Sequence, residues 1–316
     1  MTSPARTALV ADPASLFHLT GFGHPERPER FQAVMEALSE AALLDRLSGL
    51  SVEPASDEAL LRCHTKEYVE LAKREILAGY PELSTGDTDI CEDSLQAALM
   101  AAGGTISAVN AVMSGRATNA FCNIRPPGHH ATPDRGMGFC IFNNAAIGAR
   151  HAQAAHGIER VLIVDWDVHH GNGTQDIFYE DQSVMYFSTH QWPFYPGTGS
   201  RRETGAGDGK GTTINCPMRA GSGRKEIFEA FEESLLPAAG KFRPELVIIS
   251  AGFDSREGDL LGGLRLTDQD FADLTKMLMS LAEEHAEGRI VSVLEGGYTL
   301  SGLGKAAAAH VGALLG

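Results

Sequence analysis

Two carboxylates and an imidazole stand at alternate positions in Asp165-Trp166-Asp167-Val168-His169. On an extended backbone, alternate side chains point the same way, so all three would converge at one strand end. Oxygen and nitrogen donors converging in this way make a metal-site candidate. A further Asp leaves a second apolar stretch in Ala251-Gly252-Phe253-Asp254. The expected ligand set is therefore Asp167, His169 and Asp254. Three protein ligands leave one position open, as in a catalytic rather than a structural site. An ion so held polarises a carbonyl and acidifies water.

Two further groups could work beside it. His129-His130 follows Pro126-Pro127-Gly128, which fixes the backbone. Asp165 and Asn172 flank the ligand run, and each could orient one imidazole and set its tautomer. In Glu295-Gly296-Gly297-Tyr298 the glycines let a tyrosine swing over a site, where its hydroxyl could donate to a developing oxyanion. Taken singly, each feature has an ordinary explanation: a turn-capping Asp, surface histidines, a glycine turn before a core Tyr. Their recurrence in four segments of one chain favours chemistry.

The elements that would carry these residues alternate between strand and helix. Apolar runs at Thr7–Val10, Asn119–Ile124, Val161–Val164, Val184–Ser188, Leu246–Ser250 and Ile290–Leu294 read as strands. Between them lie amphipathic or Ala-rich stretches. Phe31, Val34, Met35 and Leu38 share one helical face. Thr65 caps a helix bearing Tyr68, Val69, Ala72 and Ile76, and Thr267 caps another through Ala286. An Ala-rich helix starts at Asp93 and runs past Gly103-Gly104 towards Met113, small enough to pack closely on a sheet. Further helices are expected over Asn144–Ala155, near Arg224–Leu236 and at the C-terminus; a long glycine-rich loop covers His190–Gly211. This pattern predicts an α/β fold with one mostly parallel open sheet and helices on both faces, as a single domain over 1–316. The chemistry-bearing residues all follow strands, where ligands bind in open α/β sheets.

Composition narrows the function. The 316 residues are 43% hydrophobic and 21% charged, with 35 glycines, enough for a large core. A net charge of −15 argues against a phosphate-tracking nucleic-acid binder and suits a cationic substrate. The five cysteines form no Cys-x-x-Cys pair, which points to a reducing compartment and so to the cytoplasm. No stretch is expected to act as a signal peptide or a membrane span.

The motifs His24-Pro25-x-x-Pro28-x-Arg30, Arg125-Pro126-Pro127-Gly128-His129-His130, Gly138-Phe139-Cys140, Asp165-Trp166-Asp167-Val168-His169-His170-Gly171-Asn172-Gly173-Thr174, Ala251-Gly252-Phe253-Asp254 and Glu295-Gly296-Gly297-Tyr298 together resemble the histone deacetylase and acetylpolyamine amidohydrolase family, with its arginase/deacetylase-like fold. The resemblance spans nearly the whole chain. It implies a zinc-dependent, hydroxamate-sensitive amidohydrolase with zinc on Asp167, His169 and Asp254. It makes His130 the principal general base and acid, with His129 beside it held by Asp165, and Tyr298 the donor to the carbonyl oxygen. Asn172, where many members have Asp, resembles the class II branch.

Gly138, Phe139, Tyr195, Leu261, Pro127 and Gly296 would line an acyl-lysine tunnel. Tyr195 stands where many members have Phe. Arg30 would lie by an acetate exit path. Structural potassium ions are implied near Asp165, His169 and Ser188, and near Phe178, Asp181 and Val184. Polyamine-selective relatives can carry Glu at the tunnel mouth, where this chain has Leu261. That favours acetylated lysine in peptides or proteins over acetylated polyamines, although Asp87 and Asp89 are acidic rim candidates. A two-manganese ureohydrolase and an inactive acyl-lysine-binding scaffold are the alternatives, and a homo-oligomer is left open.

Overall fold

The computed structural model describes residues 6–316. Of the single domain expected over 1–316, residues 1–5 lie outside the described part. Eight strands form one sheet: β1 (Arg6–Val10), β2 (Ser48–Gly49), β3 (Ala117–Cys122), β4 (Val161–Asp165), β5 (Val184–Gln191), β6 (Thr213–Met218), β7 (Leu246–Ala251) and β8 (Ile290–Leu294). Their order is β2-β1-β3-β8-β7-β4-β5-β6, and every pairing is parallel. The expected mostly parallel sheet is present, parallel throughout, and is extended from the six strands read in the sequence to eight. The two strands not foreseen, β2 and β6, close the two edges. The first is two residues long, and β6 contains Pro217, which an edge strand tolerates because one side needs no ladder bond.

The helices are α1 (Glu29–Glu40), α2 (Asp57–Leu61), α3 (Lys66–Leu77), α4 (Ser94–Met113), α5 (Asn144–His156), α6 (Asn172–Phe178), α7 (Arg224–Ala230), α8 (Leu236–Phe242), α9 (Asp268–His285) and α10 (Leu300–Leu315). A π-turn over Phe231–Leu235 joins α7 to α8. The central strands are apolar on both sides because both faces are covered. Val161 and Ile163 of β4 join a core with α4 and α5; Leu162 and Val164 join the opposite core with α9 and α10. Thr65 and Thr267 cap α3 and α9 through their side chains, as the sequence predicts.

Helix α4 corrects one expectation. By length and apolarity it does reach the range of a membrane span. Most of it, however, is buried within the fold, and its glycines let it lie flush: a Cβ on Gly103 would stand 1.9 Å from Glu53 O. It is a core helix.

Strands β3, β8, β7 and β4 are neighbours in that order. Asp165 lies opposite Ser250, Ala251 opposite Leu294, and Cys122 opposite Val293. The carboxyl ends of these four strands thus deliver 123–130, 295–298, 252–254 and 166–170 to one stretch of the sheet's rim.

Candidate active site

Strand β4 ends at Asp165, and the next residues bend instead of continuing extended. Alternation along a strand is thus not what gathers the ligands. Asp165 points to the histidine pair. The bend itself returns His169 onto Asp167, whose Oδ1 accepts from His169 N at 2.8 Å and lies 3.0 Å from its Nδ1. Asp254, from the end of β7, brings Oδ2 to 3.2 Å from the same Nδ1. One ligand atom each from Asp167, His169 and Asp254 lies within 4.8 Å of the others, and all three residues are buried.

This donor set fits a cation. Asp254 Oδ1 accepts from Val168 N, but Oδ2 is buried without a hydrogen-bond partner among the described residues. Burial and the neighbouring Asp167 carboxylate push Asp254 up to about 7. Burial acts to lower His169, yet the two carboxylates raise it to about 10. Without an ion the two buried carboxylates are balanced only by protons held on His169 and Asp254, and a bound cation takes over that role. Backbone closeness completes the cradle: Gly296 N donates to Asp167 Oδ2 at 2.8 Å, and a Cβ on Gly296 would fall 2.0 Å from Asp254 Oδ2.

His129 and His130 leave β3 and sit beside this group. His129 Nδ1 lies 2.9 Å from Asp165 Oδ2, and His130 Nδ1 lies 2.8 Å from Asn172 Oδ1. With Nδ1–H donating to Asn172, His130 keeps Nε2 as an acceptor. Burial tends to lower His129, but Asp165 and Asp167 raise it well above the ordinary histidine value. His130 moves the other way, lowered by burial and then by the neighbouring His129 and His169. One imidazole favours the cation and its neighbour the neutral base, a division of environments that separates acid from base roles.

Tyr298 follows β8. Its ring meets Phe139 at 6.0 Å between centroids, and the Arg30 guanidinium lies 4.9 Å from its centre. Arg30 is fully buried and grips this turn: Nε donates to Gly297 O at 2.7 Å and Nη2 to Glu295 O at 2.5 Å. Two of its donors thus hold the backbone carrying Tyr298, and Nη1 goes to Glu26.

Two carboxylates escaped the sequence reading as site residues. Glu295 Oε2 accepts from Gly128 N and His129 N at 2.7 and 3.1 Å, so the β8 segment clamps the histidine loop. Glu26 accepts from Arg125 Nε at 2.5 Å and from Arg30 Nη1 at 3.0 Å. Its appearance in His24-Pro25-Glu26, before Arg30, was the available signal.

Above these groups opens a cavity of about 460 Å³ lined by His130, His169 and Tyr298 at its base. Gly138, Phe139, Tyr195 and Leu261 form its walls, as expected, and Phe194 and Leu260 join them. Phe194 stacks on the His169 ring at 5.4 Å. Pro127 and Gly296 are corrections: neither lines the cavity. Pro127 is buried in the turn behind the histidines, and Gly296 lies beneath, against the ligand carboxylates. Asp87 reaches the rim, where its Oδ1 accepts from Gly138 N and Tyr195 Oη. Asp89 is turned to Gly21 N instead. Cys140 is buried, and burial raises its thiol well above the usual value, which suits packing. Of the residues named for potassium, Asp165 and Ser188 are register partners on β4 and β5. Phe178 ends α6, Val184 begins β5, and Asp181 lies in the turn between them, paired with Arg150 at 2.6 Å.

Comparison with known proteins gives one answer throughout. Residues 24–314 match the family model described as histone deacetylase domain. A probable deacetylase of Archaeoglobus fulgidus is 42% identical over 298 residues, covering 94% of this chain and 82% of that one. The histone deacetylase-like amidohydrolase of Pseudomonas aeruginosa is 40% identical, covering 93% of this chain and 82% of that protein. Human polyamine deacetylase HDAC10 is 42% identical over 92% of this chain but only 44% of its own length. The crystal structure of the HDA15 HD domain superposes with a TM-score of 0.93 at 40% identity, covering 98% of this chain and 90% of that one. The chain belongs to the histone deacetylase family and is a hydrolase acting on amides.

Proposed function

We propose that the protein removes acetyl or related acyl groups from the Nε-amine of lysine in peptides or proteins, using one zinc ion on Asp167, His169 and Asp254. The observation that carries the substrate choice is the cavity mouth. Leu260 and Leu261 line it, and Asp87 is the only carboxylate among its lining residues. Asp87 Oδ1 is already engaged by Gly138 N and the Tyr195 hydroxyl. A distal ammonium of a polyamine would meet apolar Leu261 where a carboxylate is needed. An acyl-lysine stem is apolar over its length and suits walls made of Phe139, Tyr195 and Phe194.

When bound, the ion supplies Lewis acidity that polarises the acyl carbonyl and acidifies water. The protein's own groups do the rest. His130 Nε2 takes a proton from the attacking water, while Asn172 holds its Nδ1. The Tyr298 hydroxyl donates to the carbonyl oxygen as charge builds there. The imidazolium then returns the proton to the leaving amine. Asp165 steadies His129 as the adjacent cation, and the aromatic walls keep bulk water out.

The same reading places potassium near Asp165, His169 and Ser188, and near Phe178, Asp181 and Val184, and puts the enzyme in the cytoplasm, where its five free cysteines stay reduced. A second reading, deacetylation of polyamines, is favoured by the HDAC10 relative and by the chain's acidity. Turnover of acetyl-lysine peptides against acetylputrescine and acetylspermidine separates the two. The proposal expects higher kcat/KM on the peptides; a strong preference for the polyamines overturns it. No turnover of any of them, with a hydroxamate still bound, would instead indicate an acyl-lysine-binding scaffold.

A further inference from the structure

Tyr298 is anchored from the cavity mouth as well as from beneath. Asp259 lies in the turn between Asp254 and the rim residues Leu260 and Leu261. Its Oδ2 accepts from the backbone N–H of Tyr298 at 2.8 Å and of Thr299 at 2.9 Å. Its Oδ1 accepts from Leu261 N at 3.0 Å. The adjoining Gly258 O accepts from the Thr299 hydroxyl at 3.0 Å. Thr299 immediately precedes α10, so the carboxylate also meets the positive end of that helix. The preceding Gly297 has φ +120°, a conformation with little intrinsic restraint. The placement of Tyr298 therefore depends on what grips its flanks: Arg30 on one side and Asp259 on the other.

A single planar group thus joins the rim loop to the backbone of Tyr298. Three N–H donors converge on it, so only a carboxylate satisfies both edges; an amide would set its own N–H₂ against one of them. A ligand resting on Leu260 and Leu261 would bear on the loop that Asp259 holds through Leu261 N. We propose that Asp259 is a positioning residue that couples occupancy of the cavity mouth to placement of the Tyr298 hydroxyl. This rests on the reading of Tyr298 as the donor to the acyl oxygen. It assigns specificity a physical route: peptides that press on the mouth gain in kcat, and small acetylated amines that miss it do not.

The test compares wild type, Asp259→Asn, Asp259→Ser, Tyr298→Phe and the double variant Asp259→Asn/Tyr298→Phe, all zinc-loaded. Turnover is measured on an acetyl-lysine peptide and on free acetyl-lysine, and amide hydrogen exchange is followed at 258–262 and 295–300. Asp259→Asn is expected to lower kcat on the peptide about 10- to 100-fold, with KM within about threefold, and to narrow the advantage of peptide over free acetyl-lysine. In the Tyr298→Phe background the same substitution should cost less than about twofold, because the hydroxyl it positions is gone. Exchange should quicken at both segments and stay unchanged in β4 and β7. Asp259→Ser removes the carboxylate without adding an opposed N–H and should behave alike, which guards against misfolding of one variant. Equal fold-costs in the two backgrounds would overturn the proposal, as would unchanged exchange at Tyr298 and Thr299. A wild type inactive on both substrates would refute the functional reading; the exchange measurement would still decide whether Asp259 ties the two segments.

Discussion

Glu26 is the carboxylate whose removal has the most calculable effect. It is fully buried, as are Arg30 and Arg125, and it is the carboxylate both guanidinium groups share. His18 Nε2 lies 3.5 Å away on the same group. Burial acts to raise the Glu26 carboxyl, yet Arg125 foremost, with His18 and Arg30, holds it well below the usual carboxylate range. Glu26→Gln keeps the shape and leaves two buried cations without a counter-charge. Breaking a buried pair in this way costs about 3–5 kcal/mol. The unfolding entropy of a chain this long is roughly 0.7 kcal/mol/K, so Tm should fall by about 4–7 °C at pH 7.

The pH dependence has a definite sign. A carboxyl depressed in the folded state contributes stability above its unfolded pKa and loses it as pH falls through the folded value. The gap between wild type and Glu26→Gln should therefore hold at pH 7 and shrink as pH falls below the ordinary value of 4.5. Differential scanning calorimetry on both proteins, zinc-loaded and across pH, reads both quantities. A Tm loss under about 2 °C at pH 7, or a gap that stays constant down to the acid transition, would refute the reasoning.

Tyr298→Phe should lower kcat about 10²- to 10³-fold while leaving Tm unchanged, because the hydrogen bond that fixes this residue runs through its backbone N–H to Asp259; kinetics and calorimetry on one preparation check both. Asn172→Asp places a charge on His130 Nδ1, now 2.8 Å from an amide oxygen. That raises the pKa of the base, so the acidic limb of kcat/KM should move to higher pH; an unmoved limb would show that residue 172 does not govern His130. Gly296→Ala sets a Cβ 2.0 Å from Asp254 Oδ2 and 2.5 Å from Asp167 Oδ2, and should weaken zinc retention by about 10- to 100-fold in competition with a chelator.

The sequence made the ligands legible because each follows an apolar strand, and parallel sheets present such ends on one rim. Asp167, His169 and Asp254 could be paired without knowing strand order. The partners Asp165 and Asn172 could be named because they flank those ligands. What stayed hidden depends on strand order and side-chain reach. Glu295 holds a loop 167 residues away, and Glu26 holds Arg125 across 99 residues; no local pattern encodes such pairs. Strand β2 is too short to carry a period, and Pro217 masks β6. Pro127 adjoins the histidines in sequence, yet it is buried and does not line the cavity. Nothing in the sequence marks Phe194 beside Tyr195, since only the folded loop stacks it on His169.

The central claim is that Asp167, His169 and Asp254 hold one catalytic ion beside His130 and Tyr298. The direct test is to strip the protein of metal, titrate zinc back, and follow bound zinc and hydrolysis of an acetyl-lysine peptide in wild type and Asp254→Asn. The account predicts that activity rises with zinc to a plateau at one ion per chain, and that Asp254→Asn loses both tight binding and turnover. Full activity without metal, a requirement for two catalytic ions, or an Asp254→Asn variant that binds zinc and turns over like wild type would contradict it.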